Sequence, residues 1–178
     1  TGVSPTHAYA TSGIYTVTLT VTDDDGLTDT DTTTAVIYDP NGMSAGGGWY
    51  LTEAPNNDDN YGTIEGAKAT FGFVAKYIKG SASGNLEFQY HIEDKLNLKS
   101  TSITWLVVSG SNAQFKGTAT LNGVSGYYFR VIAQDNGEPG TSDTFAIKIW
   151  FGDPDNGGTL IHSSHNTLAG GNIMVRIK

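Results

Sequence analysis

Ile14-Tyr15-Thr16-Val17-Thr18-Leu19-Thr20-Val21 alternates between large apolar side chains and threonine from Tyr15 onward. That period of two belongs to a strand with one face in a core and one in water, so Tyr15, Val17, Leu19 and Val21 are expected inside and Thr16, Thr18 and Thr20 outside. Asp23-Asp24-Asp25-Gly26 follows as a turn, and Ala35-Val36-Ile37-Tyr38 closes a second strand. The two make a β-hairpin.

The same period recurs down the chain. Phe71, Phe73, Ala75 and Tyr77 alternate with small residues and Lys76, and Leu86, Phe88, Tyr90 and Ile92 with Glu87, Gln89 and His91. Further strands are expected at Trp49–Leu51, Ser102–Val108, Phe115–Leu121, Phe129–Ala133, Phe145–Phe151 and Ile173–Ile177. Seven or eight short strands, punctuated by Gly, Asn, Asp and Pro, predict an antiparallel β-sandwich. Composition agrees: hydrophobic residues are only 38% but aromatics reach 11%, which suits a thin core filled by a few large rings. No stretch of helical period is long enough to matter, so the fold class is all-β.

Charge and cysteine usage narrow the function. A net charge of −8, with ten basic residues scattered among eighteen acids, gives no basic face for nucleic acid. The absence of cysteine removes disulfides, thiolate metal sites and a cysteine nucleophile. No apolar run is long enough for membrane insertion, and with no signal or anchor motif in this stretch, targeting signals are expected beyond its ends.

His7, Tyr9, Gly13, Tyr15, Val17, Leu19, Val21, Asp23 and Gly26 reproduce a His-x-Tyr, then Gly-x-Tyr-x-Val-x-Leu-x-Val-x-Asp-x-x-Gly pattern. This resembles the C-terminal half of a PKD (polycystic-kidney-disease) domain, an immunoglobulin-like sandwich. The family's earlier Trp-Asp-Phe-Gly-Asp-Gly stretch does not occur, so the chain is expected to be a piece of a longer protein. The resemblance implies an extracellular spacer or binding module, and for His7 a structural hydrogen bond near the tyrosine. Half a sandwich leaves apolar surface open, so the hairpin should pack on the rest of the chain, pair with a second copy as a homodimer, or fray.

The resulting division is residues 1–41 as the PKD-like half, 42–48 as a glycine-rich linker, and 49–178 as a β-sandwich module. The module carries Gly47-Gly48, Phe71-Gly72-Phe73, Lys76, Tyr90, Trp105-Leu106, Phe115, Gly117, Asn122-Gly123, Phe129, Asp135, Gly137, Pro139, Asp143, Phe145, Trp150 and Gly170-Gly171. These residues resemble an uncharacterised module near the C-termini of bacterial and archaeal surface proteins, beside PKD repeats and choice-of-anchor regions. The resemblance implies location at the cell surface and supplies no activity.

Two candidate sites stand out. Asp135 and Asp143 bracket the loop Asp135-Asn136-Gly137-Glu138-Pro139-Gly140, where carboxylates can converge on calcium or instead tie the turn to backbone amides. The Ala133-x-Asp135-x-Gly137-x-Pro139 run resembles a cadherin strand end, which implies calcium. Trp150 lies on the outer face of its strand with Lys148, near Arg130, where it can stack on a sugar or be covered by the hairpin. Asp153-Pro154-Asp155-Asn156-Gly157 and Asp58-Asp59 read as solvated loops. His162 and His165 lack a third ligand for zinc, and His91 reads as exposed. No serine stands in a nucleophile elbow and no carboxylate pair has a glycosidase setting, so no catalytic residue is assigned. The expectation is a non-catalytic structural or adhesive surface module whose partners are neighbouring domains. The alternative is a carbohydrate-binding appendage of a secreted polysaccharide-degrading enzyme.

Overall fold

A computed structural model describes residues 2, 4–56 and 60–177. Strands β1 (Gly13–Thr22) and β2 (Thr28–Ile37) form the hairpin, in register from Gly13 opposite Ile37 to Thr22 opposite Thr28. The remaining strands are β3 (Gly42–Leu51), β4 (Lys68–Ile78), β5 (Ser81–His91), β6 (Leu96–Ser109) and β7 (Asn112–Leu121), followed by β8 (Val124–Gln134), β9 (Thr144–Phe151), β10 (Thr159–Thr167) and β11 (Gly170–Ile177). They form one antiparallel sheet in the order β10-β9-β8-β7-β6-β5-β4-β3-β11.

The sheet curls until its edges meet. β10 and β11 lie at opposite edges, yet only Leu168 and Ala169 separate them in the chain. Ala169 N–H donates to the Trp49 carbonyl at 2.9 Å, and Leu168 N–H to the Asp143 carbonyl at 2.9 Å, fastening that crossing. The free side of β10 is covered by residues 60–62: Ser163 N–H donates to the Tyr61 carbonyl, and Tyr61 N–H returns a bond to Ser163 Oγ. Covering the edge removes a row of unpaired backbone groups that would otherwise recruit foreign strands.

The core between the two halves of the curl confirms the all-β sandwich expected from alternation. Phe71 of β4 stacks on Phe145 of β9 with ring centroids 3.8 Å apart, although four strands lie between them in sheet order. Phe73 meets Phe115 at 5.0 Å, and Leu86, Phe88, Tyr90, Phe129, Ile147, Ile149 and Ile173 are fully or almost fully buried around them. Each such side chain contributes about 1.5–3 kcal/mol of burial.

Three expectations need correction. The module has nine strands, because β10 was not legible: its buried residues include His162, Ser163 and Ser164, which carry no apolar period. Residues 42–48 are not a linker but the first part of β3, paired on both sides. Their glycines serve close approach instead of turning, since a Cβ on Gly46 would lie 2.8 Å from the Asn172 carbonyl oxygen and one on Gly48 2.5 Å from that of Gly170.

The third correction concerns the hairpin. Val17 is half-buried, but Leu19 and Val21 are 56% and 57% exposed, and Tyr15 packs on Tyr9 at 4.5 Å with its hydroxyl donating to the Thr11 carbonyl. The hairpin docks through its root and its other face. Ser12 Oγ donates to the Val108 carbonyl at 2.5 Å, and Gly13 and Ile14 lie over Val107. Tyr38 stacks on Tyr77 at 4.4 Å, whose hydroxyl is itself bonded to the Leu106 carbonyl. With the root held there, the face carrying Ile14, Thr32, Thr34 and Val36 turns toward the sheet and the apolar row turns outward.

Candidate binding groove

The groove begins with a defect in a strand. Along β6, Ile103 points into the core opposite Gly117, and simple alternation would send Trp105 inward as well. A bulge between Ile103 and Trp105 inserts Thr104 and shifts the phase, so that Leu106 and Val108 fill the core and Trp105 faces out, half-buried. Thr104 Oγ1 fastens the bulge by donating to the Lys116 carbonyl at 2.9 Å. Gly117 permits it, because a Cβ there would fall 2.0 Å from the Ser102 carbonyl oxygen.

The register then lines up Trp105 with Lys116, Lys116 with Arg130, and Arg130 with Lys148 on successive strands β6 to β9. Trp150 follows on the same face of β9, opposite Tyr128. The hairpin forms the facing wall with Ile14, Thr32, Thr33, Thr34 and Val36, enclosing a groove of about 500 Å³. A second depression of about 340 Å³ continues past Arg130 and Trp150 toward Lys148 and His165.

Charge in the groove is organised. Lys116 has a side chain only 10% exposed and donates to Asp153 Oδ1 at 2.8 Å and Asp155 Oδ2 at 2.5 Å. Desolvation pulls its pKa down, but the bonds to the two carboxylates outweigh that and leave it raised. The Lys116 bond in turn holds Asp153 below its ordinary value, helped by the Asp155 amide. The acidic turn expected as a solvated loop is therefore the clamp on a buried lysine. Arg130 Nη2 donates to Gln114 Oε1 at 2.9 Å, its guanidinium lies 5.8 Å from the Trp105 ring centroid, and its buried Nε has no acceptor. Among the described residues the ion pairs are Lys99–Glu87 and the two made by Lys116; neither Arg130 nor Lys148 takes part in one.

Asp135 and Asp143 lie elsewhere, and backbone amides occupy them. Asp143 is fully buried; its Oδ1 accepts from Asn136 N at 2.8 Å and its Oδ2 from Ile173 N at 2.7 Å. Asp135 Oδ1 accepts from Gly137 N at 3.1 Å and Oδ2 from Val175 N at 3.0 Å. All four oxygens thus tie the β8–β9 loop to itself and to β11. Among the described residues no three His, Cys, Asp or Glu gather as a metal centre; Asp58 and Asp59 fall outside the described residues.

His162 is buried in a polar chain that the sequence did not reveal. Its Nδ1 lies 3.3 Å from the Gly62 carbonyl and its Nε2 3.1 Å from Ser164 Oγ, which lies 2.7 Å from the Tyr50 hydroxyl. One orientation satisfies every atom: Tyr50 donates to Ser164, Ser164 to Nε2, and Nδ1–H to Gly62. Desolvation drives the imidazole pKa down to about 4, opposed by the Gly62 bond, and burial raises that of Tyr50. Ser164 is 1% exposed, so this serine–histidine pair is out of reach of a substrate. His165 is exposed, His91 is exposed and bonded to Thr70 Oγ1, and His7 meets Tyr9 edge-on at 4.6 Å, a ring contact where a hydrogen bond was expected.

A family model of the PKD domain matches residues 1–37, ending where β2 ends. No curated protein and no solved structure matches the chain. The PKD match is of an extracellular structural or adhesive type, and such all-β modules are typically non-catalytic. No helix among the described residues is long and apolar enough to cross a membrane.

Proposed function

We propose that the chain is a non-catalytic structural or adhesive module of a secreted or cell-surface protein, of the kind found near choice-of-anchor regions, in which residues 42–177 carry the PKD-type hairpin in a fixed orientation. The observation behind this is the root contact: Ser12 on Val108, Ile14 over Val107 and Tyr38 stacked on Tyr77 hold the hairpin against the sheet at several points. The exposed row of Leu19 and Val21 is then the attachment surface for a neighbouring domain. Backbone ¹⁵N relaxation tests the reading. One common tumbling time for hairpin and sheet is expected, and Tyr77→Ala should separate the two. Independent tumbling of the unaltered hairpin would remove the presenting role.

The tryptophan groove favours a second reading, a carbohydrate-binding accessory module. Trp105 and Trp150 offer flat apolar faces, and the threonines of β2 offer hydroxyls across from them. That pairing suits a sugar ring, apolar on its faces and polar at its rim.

A further inference from the structure

We infer that the groove between Trp105 and Trp150 takes a carboxylated polysaccharide, with sugar rings on the tryptophans and carboxylates against Arg130 and Lys148. This rests on the carbohydrate-binding reading and narrows it to acidic chains.

Charge complementarity selects the ligand. The chain carries −8 overall, so a polyanion is repelled from most of its surface. On this one face Lys116, Arg130 and Lys148 stand side by side on adjacent strands. Lys116 is spent on Asp153 and Asp155, a trio of net charge −1 that acts as floor, and Arg130 and Lys148 outweigh it to leave the face positive. Among the described residues Arg130 and Lys148 have no carboxylate partner, and the Arg130 guanidinium hydrogen-bonds a neutral amide, that of Gln114. An arginine without its full set of acceptors gains when an anion enters, and its fork matches a carboxylate.

The rest of the lining fits a sugar better than other anions. A lipid would need a continuous apolar run, but here threonine hydroxyls and charges interrupt the tryptophans. Single-stranded nucleic acid would need a longer basic track to neutralise a phosphate at every nucleotide. A uronate chain needs only an occasional cation between stacking platforms. The second depression beyond Trp150 gives such a chain room to continue, with Lys148 along it.

The test uses the full chain and a panel of oligogalacturonate, oligomannuronate, oligoguluronate and hyaluronan oligosaccharides, each beside its neutral methyl ester, with tryptophan fluorescence and calorimetry as readouts. At least one acid form should bind at least about tenfold more tightly than its ester, with affinity falling as salt rises. Arg130→Gln should erase that preference while leaving the melting curve in place, Trp150→Ala should weaken acid and ester alike, and Lys99→Gln should change neither. Esters binding as well as acids would overturn the acidic assignment and leave the carbohydrate reading standing. Failure of every acid and ester to bind would overturn both. Acid binding indifferent to Trp150→Ala, or tighter binding of a single-stranded oligonucleotide, would show a non-specific polyanion contact and likewise overturn the assignment.

Discussion

His162 links the stability of the closed sheet to pH. In the unfolded chain the imidazole titrates near 6.5, whereas in the fold burial holds it down to about 4. Between those values the unfolded state binds a proton that the folded state refuses. The stabilisation is therefore complete above about pH 6.5, declines as pH falls, and is gone once pH drops through about 4. A displacement of that size corresponds to about 3 kcal/mol. For a chain of this length that is about 6–12 °C in melting temperature. Carboxylates also titrate near the lower end of this window, so the informative quantity is a difference between two proteins.

His162→Gln keeps a group able to accept from Ser164 and donate to Gly62 but removes the titration. Denaturant unfolding of both proteins at intervals from pH 7.5 to 4 is the assay. The variant is expected to be the less stable protein at neutral pH, through imperfect packing against Phe88 and Tyr90. The stability gap should then close, by about 3 kcal/mol, as pH falls to 4. A constant gap across that range, or an NMR titration placing the folded-state midpoint near 6.5, would refute the buried neutral imidazole and the bond orientation built on it.

Other consequences can be checked separately. Asp143→Ala strands the Asn136 and Ile173 amides and should cost about 2–5 kcal/mol in urea unfolding, whereas millimolar calcium should leave the parent's melting temperature unchanged because all four carboxylate oxygens accept from amides. A calcium-induced rise lost in Asp135→Asn would instead favour a calcium site. Removal of residues 1–37 should leave a cooperatively unfolding module, since its core is its own; loss of a sharp thermal transition would show one shared core. Gly117→Ala should destabilise by about 1–3 kcal/mol and alter Trp105 fluorescence, as the bulge must give way to the new methyl group. Leu19→Ser with Val21→Ser should leave stability nearly unchanged while reducing any self-association seen by light scattering.

What was legible in the sequence was the inside of the sheet. Phe71, Phe73, Phe115, Phe145, Ile147 and Ile149 alternate because each strand has one wet and one dry face, and all are buried as alternation requires. The failures occur where backbone geometry overrides that signal. Glycines in β3 read as turns because their usual service is a turn; here they let β4 and β11 press against a strand with little side chain. β10 shows no apolar alternation, since beyond Leu160 and Ile161 it buries a hydrogen-bonded histidine and two serines. Trp150 was placed correctly on the outer face with Arg130 and Lys148 as neighbours, since β8 and β9 run through that region without a bulge. Its cover by the hairpin was one of the two outcomes the sequence left open, whereas its second tryptophan was not visible.

The groove therefore depends on a feature that no periodicity can report. Without Thr104 as an extra residue, Trp105 would continue the inward phase set by Ile103 and compete with Leu106 and Phe115 for core volume. The bulge exchanges that conflict for an outward tryptophan beside Lys116. A buried lysine is tolerable there only because Asp153 and Asp155, thirty-seven and thirty-nine residues later in the chain, reach back to pair with it. With those two carboxylates engaged, the positive charge left facing the groove belongs to Arg130 and Lys148, between two tryptophans and under a row of threonines. Bulge, clamp and hairpin arise from separate parts of the sequence, and each has its own structural reason to exist. Their coincidence on one face distinguishes this surface from the outer face of β4 and β5, where Lys68 already lies over Trp49 of β3 and the depression beside them is lined by Gly72, Asn85, Glu87 and Gln89.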